Sequence, residues 1–228
     1  MKKALLVLAL CFAGAAMVFG QVGPQGTKEA APESNSDVKT LQLAHELADY
    51  GYKNESPTAL LQAAEMISQI KIQEASYEAT QEGSKGSAFT EKAKDYSAQA
   101  LVDAARDLAG KDKTLLAWAK NVEKSIKKST RGASGGPQYA SNFAYANGGV
   151  TWYQWYFDGN RLAEVGVASL DGADLDLYIY DQNGNLITYD ESYGRDAYCS
   201  WRPRWTGLFT IYIKNNARYN AAFEVYTN

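Results

Sequence analysis

The sequence predicts a two-part α-plus-β chain: an N-terminal antiparallel bundle of about four helices, then a C-terminal antiparallel β-sandwich of jelly-roll type. Three observations predict it. From Asp37 to Lys128 the apolar residues recur at helical spacing, with caps and stops between the runs. After Ser129–Gln138 the apolar residues alternate two by two between glycine and asparagine turns. The aromatic content shifts at the same place: 12 of the 16 tyrosines and four of the five tryptophans follow position 138.

The first twenty residues stand apart. Lys2 and Lys3 precede an apolar run from Ala4 to Phe19, and Val18-Phe19-Gly20 supplies a cleavage site before Gln21. Residues 1–20 read as a signal peptide, which implies a secreted or periplasmic protein. A membrane anchor is the alternative, but the run is short for a span. Leu10 is too large to precede a lipidated Cys11. Residues 21–36, rich in Gly, Pro, Ser, Glu and Lys, read as a flexible leader.

Composition narrows the function classes. The net charge is −3, and −5 once Lys2 and Lys3 are removed. With no basic run, this speaks against a nucleic-acid partner. No second apolar stretch offers a stable membrane span after cleavage. Cys199 is then the one cysteine left, so no intrachain disulfide can form. It reads as a small buried hydrophobe, with a reactive or intermolecular thiol as the alternative.

Residues 37–128 form the helical part. Ser36 is a fitting N-cap, with Val38, Leu41, Leu43, Leu47 and Ala48 near one face and Tyr50-Gly51 as the stop. Ser56-Pro57 starts the second helix, with serine as cap and proline first. Leu60, Leu61, Ala64, Ile67, Ile70 and Ile72 carry its apolar side. Gly83–Gly86 breaks the pattern. A third helix is expected over Ala88–Ala109, with Phe89, Ala93, Tyr96, Leu101 and Leu108 on its stripe and Gly110 as C-terminal stop. The fourth covers Asp112–Lys128 through Leu115, Leu116, Trp118, Val122 and Ile126. Short loops favour an antiparallel bundle or two stacked hairpins; no solenoid period supports a tetratricopeptide-like stack.

Residues 129–138 read as a linker and residues 139–228 as the sandwich. Strands are expected at Thr151–Phe157, Ala163–Leu170, Leu175–Tyr180, Leu186–Tyr189, Ala197–Trp201, Phe209–Ile213 and Ala222–Tyr226. Asp158-Gly159-Asn160, Asp171-Gly172, Asn183-Gly184 and Asn215-Asn216 are the turns, Asn183-Gly184 being the strongest hairpin signal.

Several motifs occur here in a telling order: Tyr153-Gln-Trp-Tyr-Phe157, Gly159, Ala173-Asp-Leu-Asp-Leu-Tyr-Ile-Tyr180, Asn183-Gly-Asn185, Trp201-Arg-Pro203 and Thr206-Gly-Leu-Phe-Thr-Ile-Tyr-Ile213. Together they resemble the bacterial pre-peptidase C-terminal domain over Ala140–Asn228. The resemblance implies a jelly-roll sandwich acting as an accessory or binding module of exported bacterial proteins, not as catalytic machinery. No peptidase precedes it here, and the helical half resembles no such family.

Two clusters are candidate sites. Asp171, Asp174, Asp176 and Asp181, with Asn183 and Asn185, are hard oxygen ligands close in sequence, as calcium requires. Against calcium, Asp174 and Asp176 share a strand face about 7 Å apart. Asp181, Asn183 and Asn185 also fit turn chemistry without a metal. The second cluster is aromatic. If Leu175, Leu177 and Ile179 point inward, Tyr178, Tyr180, Tyr212 and Tyr226 point outward, with Trp201, Trp205, Arg202 and Arg204 nearby in sequence. Such a face suits stacking on sugars or on an extended peptide. Trp152 and Trp155 fall on opposite faces of their strand, so one at least belongs to the core.

Enzyme motifs are missing. His45 is the one histidine, placed on a helix beside Glu46, where a surface or interhelix position is expected. There is no His-Glu-x-x-His, no Gly-x-Ser-x-Gly and no phosphate-cradling glycine loop. The sequence thus predicts a non-catalytic exported protein binding polysaccharide or protein in the envelope or outside the cell. The alternatives are an assembly protein whose tyrosine face docks on its own helices or a second copy, and, more remotely, a hydrolase with an unrecognised carboxylate pair.

Overall fold

A computed structural model describes residues 26–28, 36–75, 77–84, 93–129 and 138–228. They form four α-helices and two β-sheets that face each other as a sandwich. The expected signal peptide and Phe89 lie outside the described residues.

The helices start where their caps predict. The Ser36 hydroxyl accepts from the Lys39 amide and opens α1 (Asp37–Lys53). The Ser56 hydroxyl accepts from the Ala59 amide and opens α2 (Pro57–Gln69). α3 (Ala98–Ala109) begins ten residues later than expected, because the Ser97 hydroxyl accepts from the Ala100 amide and sets the cap there. α4 spans Lys113–Ser129, and the Asp112 carboxylate accepts from the Thr114 and Leu115 amides at its start. α2 packs against the other three helices, and Leu60, Leu61, Leu101, Val102 and Val122 fill the space between them. Leu43 and Leu108, expected on apolar faces, are exposed.

Eleven strands follow the chain: β1 (Gly26–Lys28), β2 (Gln73–Glu74), β3 (Thr80–Glu82), β4 (Gln138–Ala144), β5 (Val150–Phe157), β6 (Ala163–Ser169), β7 (Leu175–Asp181), β8 (Leu186–Asp190), β9 (Asp196–Pro203), β10 (Gly207–Asn215) and β11 (Ala221–Thr227). One sheet has the order β1-β9-β6-β11-β4-β2, the other β3-β5-β10-β7-β8. The seven strands expected after residue 150 are all present, displaced by two residues at most at either end. Four strands were not expected. Gly26–Lys28, assigned to the leader, pairs antiparallel with Trp201–Pro203. The connection between α2 and α3 supplies β2 to one sheet, parallel to β4, and β3 to the other, antiparallel to β5. These short edge strands are polar, and partners distant in sequence hold them, so no local periodicity marks them.

The sandwich core follows the alternation. Leu175, Leu177 and Ile179 of β7 meet Phe209, Ile211 and Ile213 of β10 and, across the gap, Val165, Val167, Phe223 and Val225. Each such side chain, fully buried, contributes about 1.5–3 kcal/mol. β6 is buried on both faces. Its other face lies under the helices, where Ala168 and Tyr226 join Val38, Leu41 and Ile70 in one cluster. Gly166 is needed there, since a Cβ at that position would lie 2.4 Å from the Tyr226 ring.

Candidate functional site

The two sheets have different outer faces. The helices cover that of the six-stranded sheet, while the outer face of the five-stranded sheet carries an aromatic row.

Cross-strand register builds the row. Trp152 of β5 stands opposite Tyr212 of β10, Tyr212 opposite Tyr178 of β7, and Tyr178 opposite Tyr189 of β8. Residues directly opposite point to the same side, so four aromatics line up across four strands. At a strand spacing of about 4.8 Å the row is about 14 Å long. Tyr180 lies one step along β7 and Gln154 one step along β5, both opposite Thr210. The Tyr178 ring lies 6.5 Å from Tyr180 and 6.2 Å from Tyr189, with planes within 23° and 21°. Tyr212 meets Tyr178 and Tyr180 edge-on at 6.0 and 6.1 Å. A groove of about 340 Å³ beside the row is lined by Trp152, Gln154, Tyr180, Asp181, Thr210 and Tyr212, among others.

Hydrogen bonds fix the row. The Tyr178 hydroxyl donates to Glu191 at 2.5 Å and lies 3.3 Å from Asp176. Burial and these two carboxylates push its pKa well up, so it stays a donor. Lys214 donates to Asp176 at 3.1 Å, which cancels the charge of both. Burial also raises Tyr212.

The expected aromatic set divides. Tyr178, Tyr180 and Tyr212 share the open face and are half-buried. Two expectations are corrected. Tyr226 is on the other sheet, 1% exposed beneath α1. Trp201 has no exposed surface, because the alternation of β9 turns Ala197, Cys199 and Trp201 inward, where Trp201 meets Phe157 at 4.7 Å and Phe209 at 5.3 Å. Arg202, Arg204 and Trp205 lie on and just after β9, away from the row. Arg202 donates to the Asn160 carbonyl, and Trp205 packs closely against Gly159. Trp152 and Tyr189 belong to the row and were missed as site residues. Strand parity had placed Trp152 opposite Trp155, but only register reveals its neighbours.

The four aspartates of the candidate calcium site are engaged elsewhere. Asp171 accepts from Ser169 Oγ and from the Ala173 and Ala222 amides. Asp174 accepts from the Gly194 amide and Asn216 Nδ2. Asp176 pairs with Lys214. Asp181 accepts from the Asn183 and Asn185 amides and closes the β7–β8 turn, where Gly184 takes φ +78°. Among the described residues no group of three or more His, Cys, Asp or Glu side chains is arranged to hold a metal ion.

His45 is neither on the surface nor between helices. It is 2% exposed and lies between α1 and β11, with Nε2 3.4 Å from Glu224 Oε2. Its ring stacks on Tyr96 at 5.4 Å and meets Tyr226 edge-on at 5.5 Å. Burial and Arg195 push His45 down to about 3. Burial and Asp95 push Glu224 up to about 7. Cys199 is buried, its thiol pushed up to about 12 by burial and Asp190.

No protein-family model matches the chain, and no curated protein matches it. Among solved structures, it is similar to the N-terminal CBM22-1–GH10 modules of Clostridium thermocellum endo-1,4-β-D-xylanase 10B, solved with xylohexaose. The identity is 10%, over 40% of this chain and 26% of that one, with a TM-score of 0.24. The chain therefore matches about a quarter of that protein's length. Among the described residues no helix is long and apolar enough to cross a membrane.

Proposed function

We propose that the chain is an exported, non-catalytic binding protein whose five-stranded sheet holds a neutral polysaccharide. The observation that carries this is the row Trp152–Tyr212–Tyr178–Tyr189 on a sheet face that the helices leave open. Aromatic faces pack against the C–H surfaces of sugar rings, and nearby amides, hydroxyls and carboxylates fix the sugar hydroxyls. Gln154, Gln182, Thr210 and Asp181 supply those groups along the groove. A neutral ligand is favoured because Lys214, two residues along β10 from Tyr212, is paired with Asp176 at 3.1 Å and is not free to hold an anion. The resemblance of Ala140–Asn228 to pre-peptidase C-terminal domains supports an accessory role, and the N-terminal apolar run supports export. The assembly alternative draws on one observation, Tyr226 docked beneath α1.

The test is a neutral-glycan array followed by titration calorimetry. Covering one tyrosine face removes on the order of 50 Å² from water, worth about 1 kcal/mol. Tyr178→Ala/Tyr180→Ala should then weaken the best glycan about 30-fold, while Tyr156→Ala, outside the groove, should not. Retention of no neutral glycan, or equal binding by the double variant, overturns the proposal.

A further inference from the structure

A second cavity lies on the opposite side of the molecule, between the helices and the six-stranded sheet. It has a volume of about 390 Å³, within the size range of small-molecule sites. One wall is aliphatic: Leu41, Ile67, Ile70, Ile72 and Ile126. The other is polar and aromatic: His45 from α1, Asp95 and Tyr96 ahead of α3, Tyr139 from β4, and Glu224 and Tyr226 from β11.

Three features mark it as built to receive something. His45 Nδ1 and the Tyr226 hydroxyl are buried without a hydrogen-bond partner, a cost that native interiors rarely leave standing. Glu224 lies deep in the protein yet keeps 20% of its side chain exposed, because it lines the cavity. Among the described residues its carboxylate meets no charged partner: Ser141 Oγ donates to it at 3.4 Å, and its ion-pair-type contact is His45, which burial and Arg195 keep neutral. Arg195 itself is held 2.9 Å from Asp49. Asp95 adds a second negative charge, and among the described residues no lysine or arginine lines the cavity.

We propose that this cavity binds a small organic amine, its ammonium facing Glu224 and Asp95 and its apolar body lying along Ile67, Ile70 and Ile126. A cation supplies the charge that the deep Glu224 carboxylate lacks, the exposed Asp95 at the cavity adds to the attraction, and tyrosine faces favour cations further. An anion would meet two carboxylates. A neutral alcohol would gain the aliphatic wall and a hydrogen bond, but no charge pairing with Glu224. This site is separate from the aromatic row and does not depend on the glycan reading.

Hexylamine, benzylamine, hexan-1-ol and hexanoate, titrated calorimetrically into the full chain at constant ionic strength, test it. At pH 8 one of the amines should bind at least tenfold more tightly than hexanol, and hexanoate should not bind. The amine stays protonated between pH 6 and 8. Glu224 takes up a proton over that range, so amine affinity should fall roughly tenfold at pH 6 while hexanol affinity holds. Glu224→Gln, which keeps size and shape, should reduce amine binding to the alcohol's level. Tyr178→Ala/Tyr180→Ala should leave amine binding unchanged. Equal binding of amine and alcohol, no saturable amine binding, or amine binding indifferent to Glu224→Gln in a folded variant or to pH in the wild type each overturns it.

Discussion

Replacing Glu224 by glutamine should change how stability depends on pH, in a direction that the fold dictates. Burial and Asp95 move the Glu224 carboxyl from 4.5 to about 7. Between those values the folded protein holds a proton that the unfolded chain has released. The contribution of Glu224 is therefore complete below pH 4.5 and is lost as the pH rises through 7. Integrated from pH 4.5 to 6.5, the loss is about 2 kcal/mol. His45 runs the other way: burial and Arg195 move it from 6.5 to about 3, so its contribution is lost as the pH falls from 6.5. Between pH 4.5 and 6.5 the folded pair holds one proton on Glu224 and the unfolded pair holds one on His45. Their slopes cancel. Glu224→Gln removes the cancellation, so the variant should lose about 1.4 kcal/mol of stability per pH unit of acidification relative to a flat contribution from the wild-type pair. Urea unfolding of both proteins at pH 4.5, 5.5 and 6.5, followed by tryptophan fluorescence, measures this. A difference between the two that stays within about 0.5 kcal/mol across the range refutes the reasoning.

Two further outcomes follow from buried groups. Cys199 is 2% exposed and its thiol is pushed up to about 12, so a thiol reagent at pH 8 should modify the native protein only as fast as it unfolds; labelling within minutes, as in urea, would contradict the burial. Asn215 is fully buried, its amide donating to the carbonyls of Ala144, Tyr145 and Tyr219 while its oxygen accepts from the Ala217 amide at 2.8 Å. Asn215→Ala strands four backbone groups and should cost about 3 kcal/mol in chemical unfolding; a loss below 1 kcal/mol would mean that water replaces the amide.

The sequence made visible what neighbouring residues determine. Ser36 and Ser56 mark helix starts because the capping hydroxyl and the amide it satisfies are three residues apart. Asn183-Gly184 marks the β7–β8 turn because one residue there must take a positive φ. The inward set of β7 is readable from alternation alone. One error is local: Ser97 caps α3 by the same three-residue contact, although the apolar stripe suggests an earlier beginning. The others arise where a distant partner decides. Gly26–Lys28 and Gln73–Glu74 become strands only because β9 and β4 offer edges. Tyr226 shows the limit most sharply. Alternation on β11 correctly turns it away from the sandwich core, but outward is not exposed when α1 lies on that face. Parity tells which side of a sheet a residue takes, whereas burial of that side depends on what packs there.

The two outer faces have consequently taken opposite chemistry. Both begin as strand positions facing away from the core, with tyrosines and carboxylates at similar spacing. On the five-stranded sheet, Lys214 neutralises the buried Asp176, water screens the exposed Glu191, and the tyrosines stay available at a shallow groove. On the six-stranded sheet, the helices remove that water. Glu224 then meets a histidine that cannot charge beside Arg195, and the tyrosine hydroxyl next to it finds no partner. A cavity that encloses an uncompensated carboxylate and unpaired polar atoms costs stability when empty of a cation. Without a ligand there, that cost has no return in packing, since an aliphatic side chain in place of Glu224 would fill the same space against Ile67 and Ile70 at lower cost.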